Sequence, residues 1–188
     1  MCRYGFGNYK PHFACFNCRK VFKRTSLGDY LNQHSSLYKL YSELNPYKQA
    51  YVKAPEKLRA MQEKYQCTQA EIQAQYRVTV GKCSQCGSQM ADLGLDFKAP
   101  RSADIRAWNA IENTYRLGHQ FHTCGCDGPG FIPVNPTEYR AYLRKHLTTY
   151  QKTYSTLDKR FPDNREAKLE AKAYWAERIS KIQVEIDK

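Results

Sequence analysis

Two stretches decide the fold: HFACFNCRKVFKR, residues 12–24, and VGKCSQCGSQM, residues 80–90, each carrying one C-x-x-C unit. Cys15 and Cys18 form the first pair and Cys83 and Cys86 the second, with 64 residues between Cys18 and Cys83. A C-x-x-C turn curls so that both thiols point inward. Two such turns, brought together from hairpin tips, complete the tetrahedron of soft ligands that zinc prefers. Loop-closure cost grows only logarithmically with length, so the long insert is no obstacle to a single site.

The competing reading is two independent redox dithiols. A thioredoxin-like dithiol wants a βαβ setting with its reactive pair opening a helix, and neither pair has that context. The spacing therefore predicts one structural Zn2+ held by Cys15, Cys18, Cys83 and Cys86. Four sulfurs leave no open position for water, so such a site staples the chain and does not hydrolyse a substrate. No enzymatic activity and no small-molecule substrate are expected. Gly87, directly after Cys86, supplies the backbone freedom that these turns often need. Arg19 holds the matching place in the first turn, which leaves the geometry there open. A second candidate set, His119, His122, Cys124 and Cys126, is weaker. In an extended segment His122 and Cys126 would stand about 13 Å apart, too far for one ion unless the chain folds back at Gly125. Buried thiols and loop histidines are the plainer reading of this set. Cys2 and Cys67 support no assignment.

Lys and Arg outnumber Asp and Glu by 30 to 18, a formal net charge of +12. That excess favours polyanionic partners. It is also uneven: residues 1–24 hold six basic side chains and no acidic one, and through Arg101 the count is 16 against 7. The cysteine-bearing half is thus the electropositive half. No apolar stretch approaches the roughly 20 residues of a spanning helix, so no membrane association is expected. The opening MCRYGFGNYK does not read as a secretory signal. With the thiols mostly in close pairs, a reduced, cytoplasmic protein is expected.

The periodicity predicts an α+β chain: a small antiparallel zinc ribbon with a helical insert, then a helix and a C-terminal antiparallel helical hairpin. The expected division is 1–135, with the insert at 26–81, and 136–188. A β-hairpin is predicted from Tyr9 to Arg24. The tyrosine-rich start of the insert reads as irregular or short helix, and a short helix follows Pro55. Thr68 and Glu71 have the spacing of a capping box that opens another. From Val78 to Phe97 β structure is expected, with Leu93, Leu95 and Phe97 on one face. Ser102 looks like the N-cap of a helix running to Leu117, with Ile105, Trp108, Ile111 and Tyr115 as its stripe and Gly118 as its stop. A glycine- and proline-rich loop spans 119–135. Pro136 suits a first helical position. The stripe Tyr139, Leu143, Tyr150, Tyr154 and Leu157 pairs with Leu169, Ala173, Ala176, Ile179, Ile182 and Ile186 across a turn at 161–164.

Around the first cysteine pair, rings and cations interleave. Arg3, Lys10, Arg19, Lys20, Lys23 and Arg24 are candidate phosphate contacts, and Tyr4, Phe6 and Tyr9 are candidate stacking rings for RNA. Part of the aromatic set must form the ribbon's own core, and a solvated basic face is the plain alternative for the cations. Nucleotide-binding, zincin and nucleophile-elbow signatures are missing, and no finger-like spacing suits a DNA major groove.

FACFNCRKVFKR, CSQCG with the following GLDFKAPR, and GHQFHTCGCDGPGFIP resemble a family of bacterial zinc-ribbon proteins found mainly in Bacteroidota, over roughly residues 8–135. The resemblance implies zinc on the four cysteines and carries no activity. A small, basic, zinc-stapled chain is also similar in type to accessory ribosomal proteins. The leading expectation is a protein that binds structured RNA, foremost rRNA among ribosomal proteins, as a structural or accessory component. The alternative is an adaptor that docks a partner protein through the C-terminal helices. A thiol oxidoreductase is the third class considered, and it would need a free low-pKa cysteine.

Overall fold

The computed structural model describes residues 9–95, 97–119, 121, 135–162 and 165–188. It is α+β, with a three-stranded antiparallel sheet and eight helices among the described residues. Contacts divide the chain into two compact units, Met1–Ala99 and Pro100–Lys188. The division falls ahead of the helix at 105–116, whereas the sequence pattern had set it after residue 135.

In the first unit β1 (His12–Cys15) pairs antiparallel with β2 (Lys20–Lys23), Phe13 facing Phe22 and Cys15 facing Lys20. β3 (Ala91–Asp92) lies on the other edge of β1, giving the order β2-β1-β3. The central strand is the apolar one: Phe13, Ala14 and Cys15 are all buried. Strand β2 is an edge, and its two terminal lysines are exposed. Charged side chains on an edge strand also discourage pairing with a second sheet.

The insert resolves into five helices: α1 (Leu27–Asn32), α2 (Ser35–Glu43), α3 (Gln49–Lys53), α4 (Pro55–Tyr65) and α5 (Gln69–Val80). The capping box that opens α5 is complete. Glu71 N donates to Thr68 Oγ1 at 3.2 Å and Thr68 N donates to Glu71 Oε2 at 2.7 Å. The expected return of β structure at Val78 does not occur, because Val78–Val80 form the last turn of α5. Extended structure begins only with the Lys82–Gln89 bridge and the short β3. At the end of this helix Gly81 N donates to Arg77 O at 2.9 Å, and Gln89 Nε2 adds a second bond to the same oxygen at 2.8 Å. Gly81 permits that contact, since a Cβ there would sit 2.4 Å from Arg77 O.

The insert is no appendage. One core joins Tyr30, Leu31, Leu44, Ile72 and Tyr76 of the insert to Phe13, Cys15, Cys83 and Met90 of the segments that flank it. Tyr76 packs edge-on to Phe13 with centroids 6.4 Å apart, and its hydroxyl donates to Thr25 O at 2.7 Å. A three-stranded sheet this small has too little apolar surface to bury by itself. The insert supplies the missing layer.

In the second unit α6 (Ile105–Arg116) buries Ala107, Trp108, Ile111 and Thr114. Its N-cap is Asp104, whose Oδ1 accepts from Ala107 N at 3.0 Å, and not Ser102. Ile105, expected on the apolar stripe, is the first residue of the helix and is 56% exposed. α7 (Pro136–Arg160) begins at the expected Asn135 cap, where Asn135 Oδ1 accepts from Glu138 N at 2.9 Å. α8 (Arg165–Ile186) runs back along α7: Asp158 meets Lys172 near the turn, and Tyr139 meets Glu185 at the far end. Tyr142, Leu143, Tyr150 and Ile182 are buried in the seam with Leu117 after α6. Tyr154, Leu169, Ala173 and Ala176, all placed on the stripes by periodicity, lie outside the seam, Leu169 being 59% exposed. No described helix is long and apolar enough to cross a membrane.

Candidate metal centre

Each cysteine pair sits at a strand end. β1 finishes on Cys15, and the turn to β2 carries Cys18. The second pair lies in the turn between Lys82 and Gln89, closed by Cys83 N donating to Ser88 O and Gly87 N donating to Cys83 O, both at 2.9 Å. Because β1 and Cys83 share one core, the two turns face each other. The sulfurs of Cys15, Cys18, Cys83 and Cys86 all lie within 4.8 Å of one another. Cys15 Sγ and Cys86 Sγ are 3.5 Å apart, and all four cysteines are free thiols.

These separations fit a metal. Four sulfurs at 2.3 Å from a tetrahedral zinc stand about 3.8 Å from each other, inside the observed range. Cys15 and Cys83 are buried, Cys18 is half-buried and Cys86 is exposed. The centre therefore has a wet side through which an ion can enter.

Backbone and side-chain donors prepare the thiolates. Cys18 N donates to Cys15 Sγ at 3.4 Å, and the matching amide of Cys86, with that of Gln85, holds the Cys83 thiol below its usual range. The Ser88 hydroxyl and amide bring Cys86 down to about 6. Asn17 Nδ2, in the first turn, donates to that same Ser88 hydroxyl at 3.0 Å, so the two turns are linked beside the sulfurs. In the opposite direction, burial pushes Cys15 up. The neighbouring Cys86 thiol pushes Cys18 up to about 12. Four negative sulfurs this close repel one another, and a thiolate-preferring divalent cation is the partner that balances them.

The second candidate set is not assembled among the described residues: His122, Cys124 and Cys126 lie outside them. His119 is described and is 4% exposed. Both its ring nitrogens are engaged, Nδ1 with the Tyr142 hydroxyl and Nε2 with the Tyr150 hydroxyl. His146 packs beside the imidazole with centroids 4.8 Å apart, and Arg178 bonds Tyr150. Burial first, then His146 and Arg178, lowers the His119 pKa to about 4. The neutral imidazole thus donates to one tyrosine and accepts from the other. The helical reading kept Tyr150 and passed over Tyr142 and His146. The i, i+4 spacing of Tyr142, His146 and Tyr150 was the available signal.

The candidate RNA contacts separate into groups. Arg3, Tyr4 and Phe6 lie outside the described residues. Lys10, Lys20 and Lys23 are exposed, as is Tyr9. The register sets Lys20 at the cysteine end of β2 and Lys23 at its other end, opposite His12. Arg19 is half-buried with φ of 50°. Arg24 is tied into the fold: Nη2 donates to Lys82 O at 2.8 Å, and its guanidinium lies 5.2 Å from the Phe22 ring centre. Compared with known protein families, curated proteins and solved structures, the chain matches none of them.

Proposed function

We propose that the four cysteines hold one structural zinc ion that closes a zinc ribbon of the bacterial type the sequence resembles, and that the stapled unit binds structured RNA. Ribosomal RNA is the favoured target, and the role is a structural or accessory one with no enzymatic step. The observation that carries the metal part is the convergence of two sequence-distant C-x-x-C turns within 4.8 Å. What supports the RNA part is charge: the first 24 residues hold six cations and no acid, and Lys10, Lys20 and Lys23 reach solvent. A metal-fixed backbone holds such cations in place before binding, which lowers the entropy cost of phosphate contact.

The testing experiment is sedimentation of the tagged protein from lysate through sucrose in graded salt. Co-migration with ribosomal subunits at low salt, lost steeply as salt rises, is the expected result. Exposed Leu169, Tyr174 and Val184 on α8 favour the adaptor reading instead. That reading gains if association survives high salt and nuclease but fails on Leu169→Asp.

A further inference from the structure

A groove of about 420 Å3 opens beside the start of β1, lined by Lys10, Thr25, Asp29, Asn32 and Gln33. Strand pairing builds one wall: Arg24 N donates to Pro11 O at 3.0 Å, which seats Lys10 beside Thr25. α1 builds the other. Ser26 caps it, accepting from Asp29 N at 3.1 Å while its own hydroxyl donates to Asp29 Oδ2 at 2.8 Å. The Asp29 carboxylate is thereby fixed, with acceptor capacity left over. Among the described residues, no side-chain hydrogen bond occupies the amides of Asn32 and Gln33.

The lining has no thiol or imidazole for a metal or a nucleophile, and none of its five side chains is a large apolar one. It offers a carboxylate, two amides, a hydroxyl and the Lys10 ammonium, with exposed Lys23 two positions ahead of Thr25 in the chain. A carboxylate and two amides three and four positions apart on α1 and its C-cap can pair with the polar edge of an unstacked base, and the lysine with a phosphate. A carboxylate only accepts at neutral pH, and guanine presents two adjacent donors, N1–H and N2–H, on its Watson–Crick edge. The amides of Asn32 and Gln33 can then donate to O6.

We propose that this groove seats one unpaired guanine of the bound RNA, read by Asp29, Asn32 and Gln33, with Lys10 and Lys23 on the flanking phosphates. The inference rests on the RNA reading above and adds base selectivity to it.

The test is fluorescence anisotropy with uridine nonamers whose central position is G, A, C or U. The G nonamer should bind about tenfold tighter than the others. Asp29→Asn, and separately Asn32→Ala with Gln33→Ala, should erase that preference and leave the salt dependence in place. Circular dichroism checks that each variant is folded. Equal affinity for all four nonamers, with a steep salt dependence, overturns the groove and leaves the RNA reading standing. No binding to any nonamer or to structured RNA overturns both. Guanosine monophosphate competing as well as the G nonamer reassigns the groove to a free nucleotide and overturns the proposal.

Discussion

Arg19 and Gly87 hold equivalent places in the two cysteine turns. Each follows the second cysteine of its pair, and each has positive φ, 50° for Arg19 and 71° for Gly87. In both turns the amide of the second cysteine faces the sulfur of the first. The backbone shape is shared and its cost is not. A residue with a Cβ is less stable in the left-handed region by roughly 1–2 kcal/mol, a cost glycine avoids.

Gly87→Ala should therefore lower the stability of the metal-loaded protein by about 1 kcal/mol. The cost is conformational alone, because nothing lies within 4 Å of a Cβ built there. Gly87→Asn should cost less, since asparagine tolerates this region. Thermal melts should rank Gly above Asn above Ala, and a melt of Gly87→Ala equal to the parent's contradicts the shared geometry. Arg19→Gly should sit near zero, its relief of strain offset by a more flexible unfolded chain.

Protein purified under reducing conditions should carry one zinc per chain by elemental analysis. Cys83→Ser should lose the metal and the folded first unit together, because binding free energy at such a site is also folding free energy. Retention of both metal and melting temperature in Cys83→Ser would falsify the assignment. Two zincs per chain would point to a second site.

Charge reversal should separate the two halves of the chain. Lys10→Glu, Lys20→Glu and Lys23→Glu together remove exposed cations of the first unit, Lys20 at the cysteine end of β2 and Lys23 at its other end, without touching Arg24 and its bond to Lys82. Arg140→Glu, Arg144→Glu and Lys145→Glu remove three exposed cations from α7. Affinity for structured RNA should fall strongly only in the first set. Its salt dependence should flatten by about 0.7–0.9 log units per lost contact. Equal losses in both sets would mean diffuse attraction, and loss in the second alone would move the surface to the helices.

The second unit should lose stability in acid. The folded pKa of His119 lies near 4 against an ordinary 6.5, and burial lowers that of His146 as well. Below 6.5 the unfolded chain binds protons that the folded chain refuses. Stability is therefore complete above that pH and falls until the folded pKa is reached. For His119 the loss between 6.5 and 4 amounts to about 3 kcal/mol. Denaturant melts of the parent protein should show this slope, and His119→Gln should flatten most of it. An unchanged slope in His119→Gln would place the acid sensitivity elsewhere.

Signals confined to a few residues were readable from the chain. The C-x-x-C pairs, the Thr68–Glu71 box, the Asn135–Pro136 helix start and the existence of two C-terminal helices follow from local geometry, in which each partner is three or four positions away. What required the tertiary structure were choices between locally similar options. Val78–Val80 read as strand, and they form the last turn of α5, with Gln89 from beyond the cysteine turn bonding Arg77 O beside them. Ser102 and Asp104 are equally suitable caps by type, and the fold takes Asp104. Arg24, by sequence a candidate phosphate contact, also bonds Lys82 O, 58 positions along the chain, which no local pattern announces. His119 joined a cysteine-rich segment on paper, whereas the folded unit sets it between Tyr142 and Tyr150, 23 and 31 positions on. The reason is common to all four. A propensity or a cap acts over a single turn of chain, while burial and long-range hydrogen bonds are settled by whichever distant segment arrives to cover the group.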